Sequence, residues 1–287
     1  MCSSDLDEER NIEWAKKLEQ AGIRVVYGLV DFKTHAKTAL VVRREHDGIR
    51  RYVHIGTGNY NAATAAIYTD LGLLSADPEL GADLNDLFNE LSGSSRPPQT
   101  AFRRILVAPT YLAKRLVELI EREAAHAAAG RSARIRAKLN GLADPEIVSA
   151  LYRASQAGVD IDLVVRGVCT LRPGVVGLSE RIRVVSVLGR FLEHARIYHF
   201  ANGDDAEYYI GSADWRPRNL RHRVEVVTPV RDPAARARLD AILGAELEDP
   251  TAWDLDPDGS YHRRTPVPGG DPRGSQERLL GLASATA

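Results

Sequence analysis

SQAGVDIDLVVRG, residues 155–167, ends a helix at Gly158 and runs directly into a β-branched strand, and EQAGIRVVYG at 19–28 repeats the pattern. Each copy is followed by a histidine on a strand, in HAK at 35–37 and HAR at 194–196. A tight glycine turn comes next, GTGN at 56–59 and GSAD at 211–214. An acid then follows at equal spacing, since Asn59 to Asp70 and Asp214 to Glu225 are both 11 residues. The same elements in the same order mark a duplicated unit. Histidine to glycine is 21 residues in the first copy and 17 in the second, a difference that a longer hairpin loop absorbs at small entropic cost.

Outward from the repeat, residues 7–21 read as a helix, with Ile12, Ala15 and Leu18 about one turn apart and Gly22 as its stop. IRVVYGLV, residues 23–30, reads as a buried strand. HAKTALVV and IRRYVHIG flank the polar turn REHDG and predict a hairpin over 35–56. A helix begins at Asp77 and Pro78, and SGSSRPPQT at 92–100 is the internal boundary. Beyond it, Leu112, Leu116, Leu119 and Ile120 mark an amphipathic helix, ARIRAKLN a strand, and Asp144 with Pro145 the start of another helix. VDIDLVV, RIRVVSV, ARIYHF and AEYYIG are further strands. The fold class is therefore α/β, with a mixed sheet and flanking helices in each half. The first half, 1–100, has no counterpart to the strand RIRAKLN that precedes the helix of the second half, 101–250, so it reads as truncated at its N-terminus. Residues 251–287 read as a loose tail, because nine residues from Pro250 to Gly274 are proline or glycine, with a short helix at SQERLLGLA.

The 287 residues include 27% charged and 44% hydrophobic ones, a globular composition. Net charge is −1, so bulk attraction to nucleic acid or anionic lipid is not expected and any anion site must be built locally. Cys2 and Cys169 are far apart, which removes a disulfide framework or a thiolate zinc cluster. No run of about 18 apolar residues occurs and the N-terminus is polar. These features predict a cytoplasmic protein that is not integral to a membrane.

Residues i and i+2 of a strand share a face, which places Lys37 beside His35 and Arg196 beside His194. A histidine next to a cation, presented twice, suits chemistry on a phosphate. The cation holds a non-bridging oxygen, one neutral imidazole attacks phosphorus, and its twin protonates the leaving oxygen. The glycine turns with Thr57 and Ser212 let the backbone approach the phosphate, and Asp70 and Glu225 read as groups that fix an imidazole tautomer. Either HxK or HxR alone reads more simply as a surface histidine beside a solvated cation; their repetition with the same trailing elements favours the site.

Paired HxK elements with trailing glycine turns resemble the phospholipase D superfamily, although TALVV stands where that superfamily places an aspartate. A closer likeness is carried by KTHAK, RYVHIGTGNYN, IYTDLGLL, LVVRGVCTLRPG, FLEHARIYHF and YIGSADWRPRNLRHRVEV, in that order. From about Asp7 to about Asp254 the chain is similar to the C-terminal catalytic half of the bacterial type-1 polyphosphate kinase family. The resemblance implies two tandem phospholipase D-like domains. It also implies that His35 takes the γ-phosphate of ATP as a phosphohistidine and passes it reversibly to inorganic polyphosphate, leaving ADP. Tyr68, Arg166 and His194 fall on the family's ATP-contacting positions, with Lys37 and Arg196 as the cations beside the histidines.

Family members carry an N-terminal domain that helps to bind ATP and a helical domain for dimer contacts, so the resemblance implies that this chain is a fragment of a homo-oligomeric enzyme. Mg²⁺ is expected from the family, but one magnesium position falls at Asp5 and Leu6 and the other before Met1, so no metal ligand is assigned. Arg181, Arg183, Arg190 and Arg216, with Arg218, Arg221 and Arg223, are candidates for a path that a linear polyanion follows. The competing readings are a phospholipase D-like phosphodiesterase and an inactive module that binds polyphosphate.

Overall fold

The structure, a computed structural model, describes residues 3–26, 32–93 and 102–285. The first half contains α1 (Ser3–Gln20), β1 (Lys33–Thr34), β2 (Lys37–Glu45), β3 (Gly48–Gly56), α2 (Ala62–Ala65), β4 (Tyr68–Thr69), β5 (Gly72–Ser75) and α3 (Pro78–Leu91). The second half opens with β6 (Leu106–Ala108), α4 (Leu112–Ala128), β7 (Arg134–Leu139), α5 (Pro145–Gln156), β8 (Asp160–Val165) and β9 (Ile182–Ser186). It continues through β10 (Leu192–Glu193), β11 (Ile197–Phe200), β12 (Glu207–Gly211), α6 (Pro217–Arg221), β13 (Arg223–Val230) and α7 (Pro233–Leu247). β14 (Trp253–Leu255), β15 (Tyr261–Arg263) and α8 (Ser275–Ala285) complete it.

Three helices begin the same way. Asp77, Asp144 and Asp232 each turn a side-chain oxygen onto backbone N–H groups of the first turn of α3, α5 and α7, and a proline follows at the first helical position. The aspartate satisfies donors that the helix itself cannot, and proline has no N–H to satisfy.

The duplication is visible in the sheets. β2, β3 and β5 form an antiparallel sheet in that order, and β11, β12 and β13 pair antiparallel in the same order inside the larger sheet. Parallel β7, β8 and β9 continue that sheet beyond β11. Beneath it, Leu116, Leu119, Ile120, Ile135, Leu151 and Trp215 form a core with essentially no solvent exposure. A second core joins the halves, because Val53, Ile55 and Leu84 pack with Val224 and Val226. No helix among the described residues is long and apolar enough to cross a membrane.

The halves also exchange short strands. β1 pairs in parallel with β13, with Lys33 beside Arg223 and Thr34 beside Val224. β10 pairs in parallel with β4 in the same sense, with Leu192 beside Tyr68 and Glu193 beside Thr69. Each histidine is thereby delivered next to the strand that leads to the opposite half's acid.

The structure differs from the sequence reading in four places. Residues 23–26 adopt no regular structure, and 27–30 of the expected strand lie outside the described residues. β13 is a long strand that carries Glu225 on a buried face, where the sequence reading had only an acid. The helix α7 was not anticipated. Residues 251–285 are also not a loose tail: β14 pairs with β9, β15 pairs with β14, and α8, the expected short helix, packs on α7. The prolines and glycines sit in the turns between these short elements, where the Gly259 N–H donates to the Asp256 carbonyl and Arg264 holds Asp254.

Candidate functional site

His35 stands two residues ahead of Lys37, the first residue of β2, and its backbone N–H donates to Val224 O of the opposite half at 2.9 Å. His194 stands at the matching place before β11, with its N–H on Thr69 Oγ1 at 3.3 Å and the Ala195 N–H on Thr69 O at 2.9 Å. These cross-half contacts set what each ring meets. His35 Nδ1 lies 2.9 Å from both Glu225 oxygens, and His194 Nδ1 lies 2.8 Å from Asp70 Oδ1. Each histidine is therefore held by the acid of the other half.

The acids are themselves fixed. Thr57 Oγ1 donates to Asp70 at 2.6 Å, and Ser212 Oγ donates to Glu225, which also accepts from Asn219 Nδ2 at 2.6 Å. The hydroxyls of the two glycine turns are thus buried and turned onto the acids. The glycines serve the same packing. A Cβ at Gly58 would collide with the Asp70 carboxylate, and one at Gly211 with the Val226 carbonyl.

A carboxylate can only accept a hydrogen bond, so Nδ1 of each ring carries the proton and Nε2 bears the lone pair. The two Nε2 atoms are not equivalent. Arg196 Nη1 lies 3.2 Å from His194 Nε2, and as a guanidinium it donates; among the described residues no group hydrogen-bonds to Nε2 of His35. Burial lowers the pKa of both histidines from the ordinary value, outweighing their carboxylate partners, with Lys37 and Arg196 adding to the effect on each. Both rings are neutral at neutral pH.

The cations are buried beside them. Lys37 is 5% exposed, donates to His35 O at 2.6 Å, and is brought by burial down to about 7. Arg196 is 3% exposed and donates to His194 O at 2.9 Å and to Asp214 at 3.0 Å. Burial alone would raise Asp214, but Arg196 overrides it and holds the carboxyl below its usual range. Asp214 also accepts from the Asn140 N–H at 2.7 Å, and Asn140 Nδ2 donates to His194 O at 3.0 Å. Asn140 and Asn219 were not singled out from sequence: Asn140 acts through Asp214 and His194, distant in the chain, and Asn219 through Glu225, six residues on, and neither belongs to the repeated spacing.

Tyr68 packs on the His194 ring, with centroids 4.9 Å apart. Arg166, just past β8, is lowered from its ordinary value by burial, and its Nε is buried with no acceptor among the described residues. Arg166 lies where the parallel strand β8 ends, the edge at which open α/β sheets bind ligands, and Tyr68 opens β4. Of the arginines suggested for an anion path, Arg181, Arg183 and Arg221 are instead occupied by Asp160, Asp162 and Glu146. Arg190 lies over the Phe191 ring. Arg223 is lowered by burial and by the nearby Arg218 and Arg216, although Glu225 acts in the opposite sense, so these arginines lie within electrostatic reach of one another.

The family model for polyphosphate kinase C-terminal domain 1 matches residues 2–97, and that for C-terminal domain 2 matches residues 105–276. The polyphosphate kinase of Thermosynechococcus vestitus is 57% identical over 275 residues, which cover 96% of this chain and 37% of that protein. That of Streptomyces coelicolor is 54% identical over 276 residues, again 96% of this chain and 37% of the relative. The crystal structure of polyphosphate kinase from Porphyromonas gingivalis matches with a TM-score of 0.88 at 36% identity, covering 96% of this chain and 43% of that one. The chain thus spans well under half the length of these relatives. With both family models matched in tandem, one on each of the two halves that exchange their acids, the chain belongs to the polyphosphate kinase family.

Proposed function

We propose that this chain carries the phosphotransfer site of an ATP:polyphosphate phosphotransferase, exercised in the full-length protein with its N-terminal and helical domains. The observation that carries the reading is the asymmetry of the two imidazoles: both are neutral with Nδ1 on a carboxylate, yet Nε2 is met by a guanidinium in His194 alone. His35 Nε2 attacks the γ-phosphorus of ATP, the N–P bond forms, and the bond to the β-phosphate oxygen breaks to release ADP. A terminal oxygen of polyphosphate then attacks the same phosphorus and the N–P bond breaks. ADP leaves as its unprotonated oxyanion. His194, whose Nε2 holds a lone pair, takes the proton of an attacking phosphate oxygen that carries one, and Lys37 and Arg196 offset charge on the non-bridging oxygens. Tyr68 and Arg166 hold the nucleotide, and the acceptorless Nε of Arg166 suits a phosphate oxygen. The ATP-rich cytoplasm is the compartment this chemistry implies.

Magnesium does not fit the described residues. No group of three or more His, Cys, Asp or Glu among them is placed to hold a metal ion, and Asp70, Asp214 and Glu225 are each committed to a histidine or arginine. No step is assigned to the ion.

Incubating the full-length protein with γ-labelled ATP should leave acid-labile, base-stable label on His35, and none in His35→Ala. Label retained in that variant would move the nucleophile elsewhere. Diester hydrolysis without ATP, tested on nucleic acid and phosphatidyl substrates, would favour the phosphodiesterase instead.

The pH profile of kcat/KM follows from the buried groups. The histidines must be neutral and are lowered, so the acid limb should lie below the ordinary histidine value of 6.5. Lys37 must be charged and titrates at about 7, so the alkaline limb should begin there and move upward in Lys37→Arg. An alkaline limb unchanged in that variant would remove Lys37 from the profile.

A further inference from the structure

The backbone reaches His194 through β10, a strand of two residues that pairs with β4 along one edge, where the Leu192 N–H donates to Ile67 O at 2.8 Å. The residue before it, Phe191, gives both of its backbone groups to the side chain of Gln276 in α8. Gln276 Oε1 accepts the Phe191 N–H at 2.9 Å, and Gln276 Nε2 donates to Phe191 O at 2.9 Å and to Glu193 Oε1 at 2.6 Å. A side-chain amide, with donor and acceptor on one head, thus stands in for the backbone of a neighbouring strand. Gly189 makes room for it, because a Cβ there would lie 2.6 Å from Gln276 Oε1.

The grip continues to the second histidine. Glu193 Oε2 accepts from Thr69 Oγ1 at 2.7 Å, and Thr69 Oγ1 in turn accepts the His194 N–H at 3.3 Å. α8 is itself anchored, since Asp249 accepts the Ser275 N–H at 2.6 Å and Arg278 donates to Ala245 O at 2.6 Å. Between α7, α8 and β10 the packing is open: Phe191, Ile242 and Leu279 line a cavity of about 580 Å³ that also borders Gln276 and Glu193. Apolar contact does not fill that side of β10, so its placement there falls to the hydrogen bonds of Gln276 and Lys138. We infer that Gln276 is a positioning residue for the passage of the phosphoryl group from His35 to polyphosphate. It acts through β10, holding His194 Nε2 where the attacking phosphate oxygen arrives, and the inference rests on the phosphotransfer reading above. Without the amide, water in the cavity takes over the Phe191 groups, so the fold persists while the imidazole loses its fixed place.

The test uses the full-length protein and times the two half-reactions separately at about pH 6, where a terminal phosphate carries its last proton about half the time. Gln276→Met keeps the length of the side chain but cannot donate. It should slow the passage of label from His35 to polyphosphate by about tenfold to a hundredfold, the cost of a misplaced proton acceptor. Labelling of His35 by ATP, in which His194 moves no proton, should change at most a few-fold, with little change in the unfolding midpoint. Gly189→Ala, which pushes the flexible amide aside from the other direction, should repeat the pattern. In a His194→Gln background Gln276→Met should cost nothing more, because changes that act through one group do not add. Transfer slowed by less than about twofold, both half-reactions slowed alike, or a full further loss in His194→Gln each overturns the inference. Absence of label on His35, or normal transfer in His194→Gln, overturns the phosphotransfer reading itself, and the inference falls with it.

Discussion

Glu225→Gln should slow phosphorylation of His35 by about 10³–10⁴-fold, the loss seen when a histidine's orienting carboxylate becomes an amide. Glu225 has no solvent exposure and accepts from His35 Nδ1, Ser212 Oγ and Asn219 Nδ2. An amide can turn its NH₂ toward Nδ1, which then accepts, and the proton moves to Nε2. The attacking lone pair is lost while shape and volume are kept. The change lies 190 residues from the histidine it disables. Labelling rate, ATP affinity and unfolding midpoint should be measured together, with the rate falling and affinity changing only a few-fold. A rate loss below tenfold would show that Glu225 does not set the His35 tautomer.

Lys138→Met should be the most destabilising single change, by about 3–5 kcal/mol, because it strands two carboxylates without their cation. Lys138, Glu193 and Glu246 are each less than 5% exposed. Burial pushes Glu246 up to about 7, whereas Lys138 outweighs burial at Glu193 and keeps that carboxyl low. An acid raised in the folded state loses stability as pH rises from its unfolded value through its folded one. Removing Lys138 raises the folded values further, so the deficit should be small near pH 5, where the site takes up protons, and largest near about pH 8. Denaturant midpoints at the two pH values check this. An equal deficit at both would show that the carboxylates are not what the lysine compensates.

The duplication was legible because it is written as spacing: histidine, glycine turn and acid recur along the chain, and the hairpin of β2 and β3 closes where the β-branched runs meet REHDG. The helices that begin at Asp77 and Asp144 were legible for a chemical reason, since a capping oxygen followed by proline has few other uses. The partner of each histidine was not legible. Sequence places Asp70 downstream of His35, yet the exchanged strands β1 and β10 give it to His194, and only the paired backbone specifies that. Thr57 and Ser212 could be located but not aimed. The segment after Pro250 was misread because its proline and glycine density describes the turns, while β14 and β15, three residues each, are too short for periodicity to register. Arg181 and Arg183 illustrate a further limit: charge counts take no account of Asp160 and Asp162 on the neighbouring strand.

The cross-over of acids also bears on how the molecule is made. His35 emerges from the ribosome 190 residues before Glu225, and at ordinary translation speeds that interval is about 10 to 40 s. During that time His35 has no orienting carboxylate, and Gln276, which grips the backbone of Phe191 close to the second histidine, is later still. The pairing of His35 with its carboxylate is therefore postponed until β13 has been made, and a nascent chain interrupted anywhere before β13 would lack it.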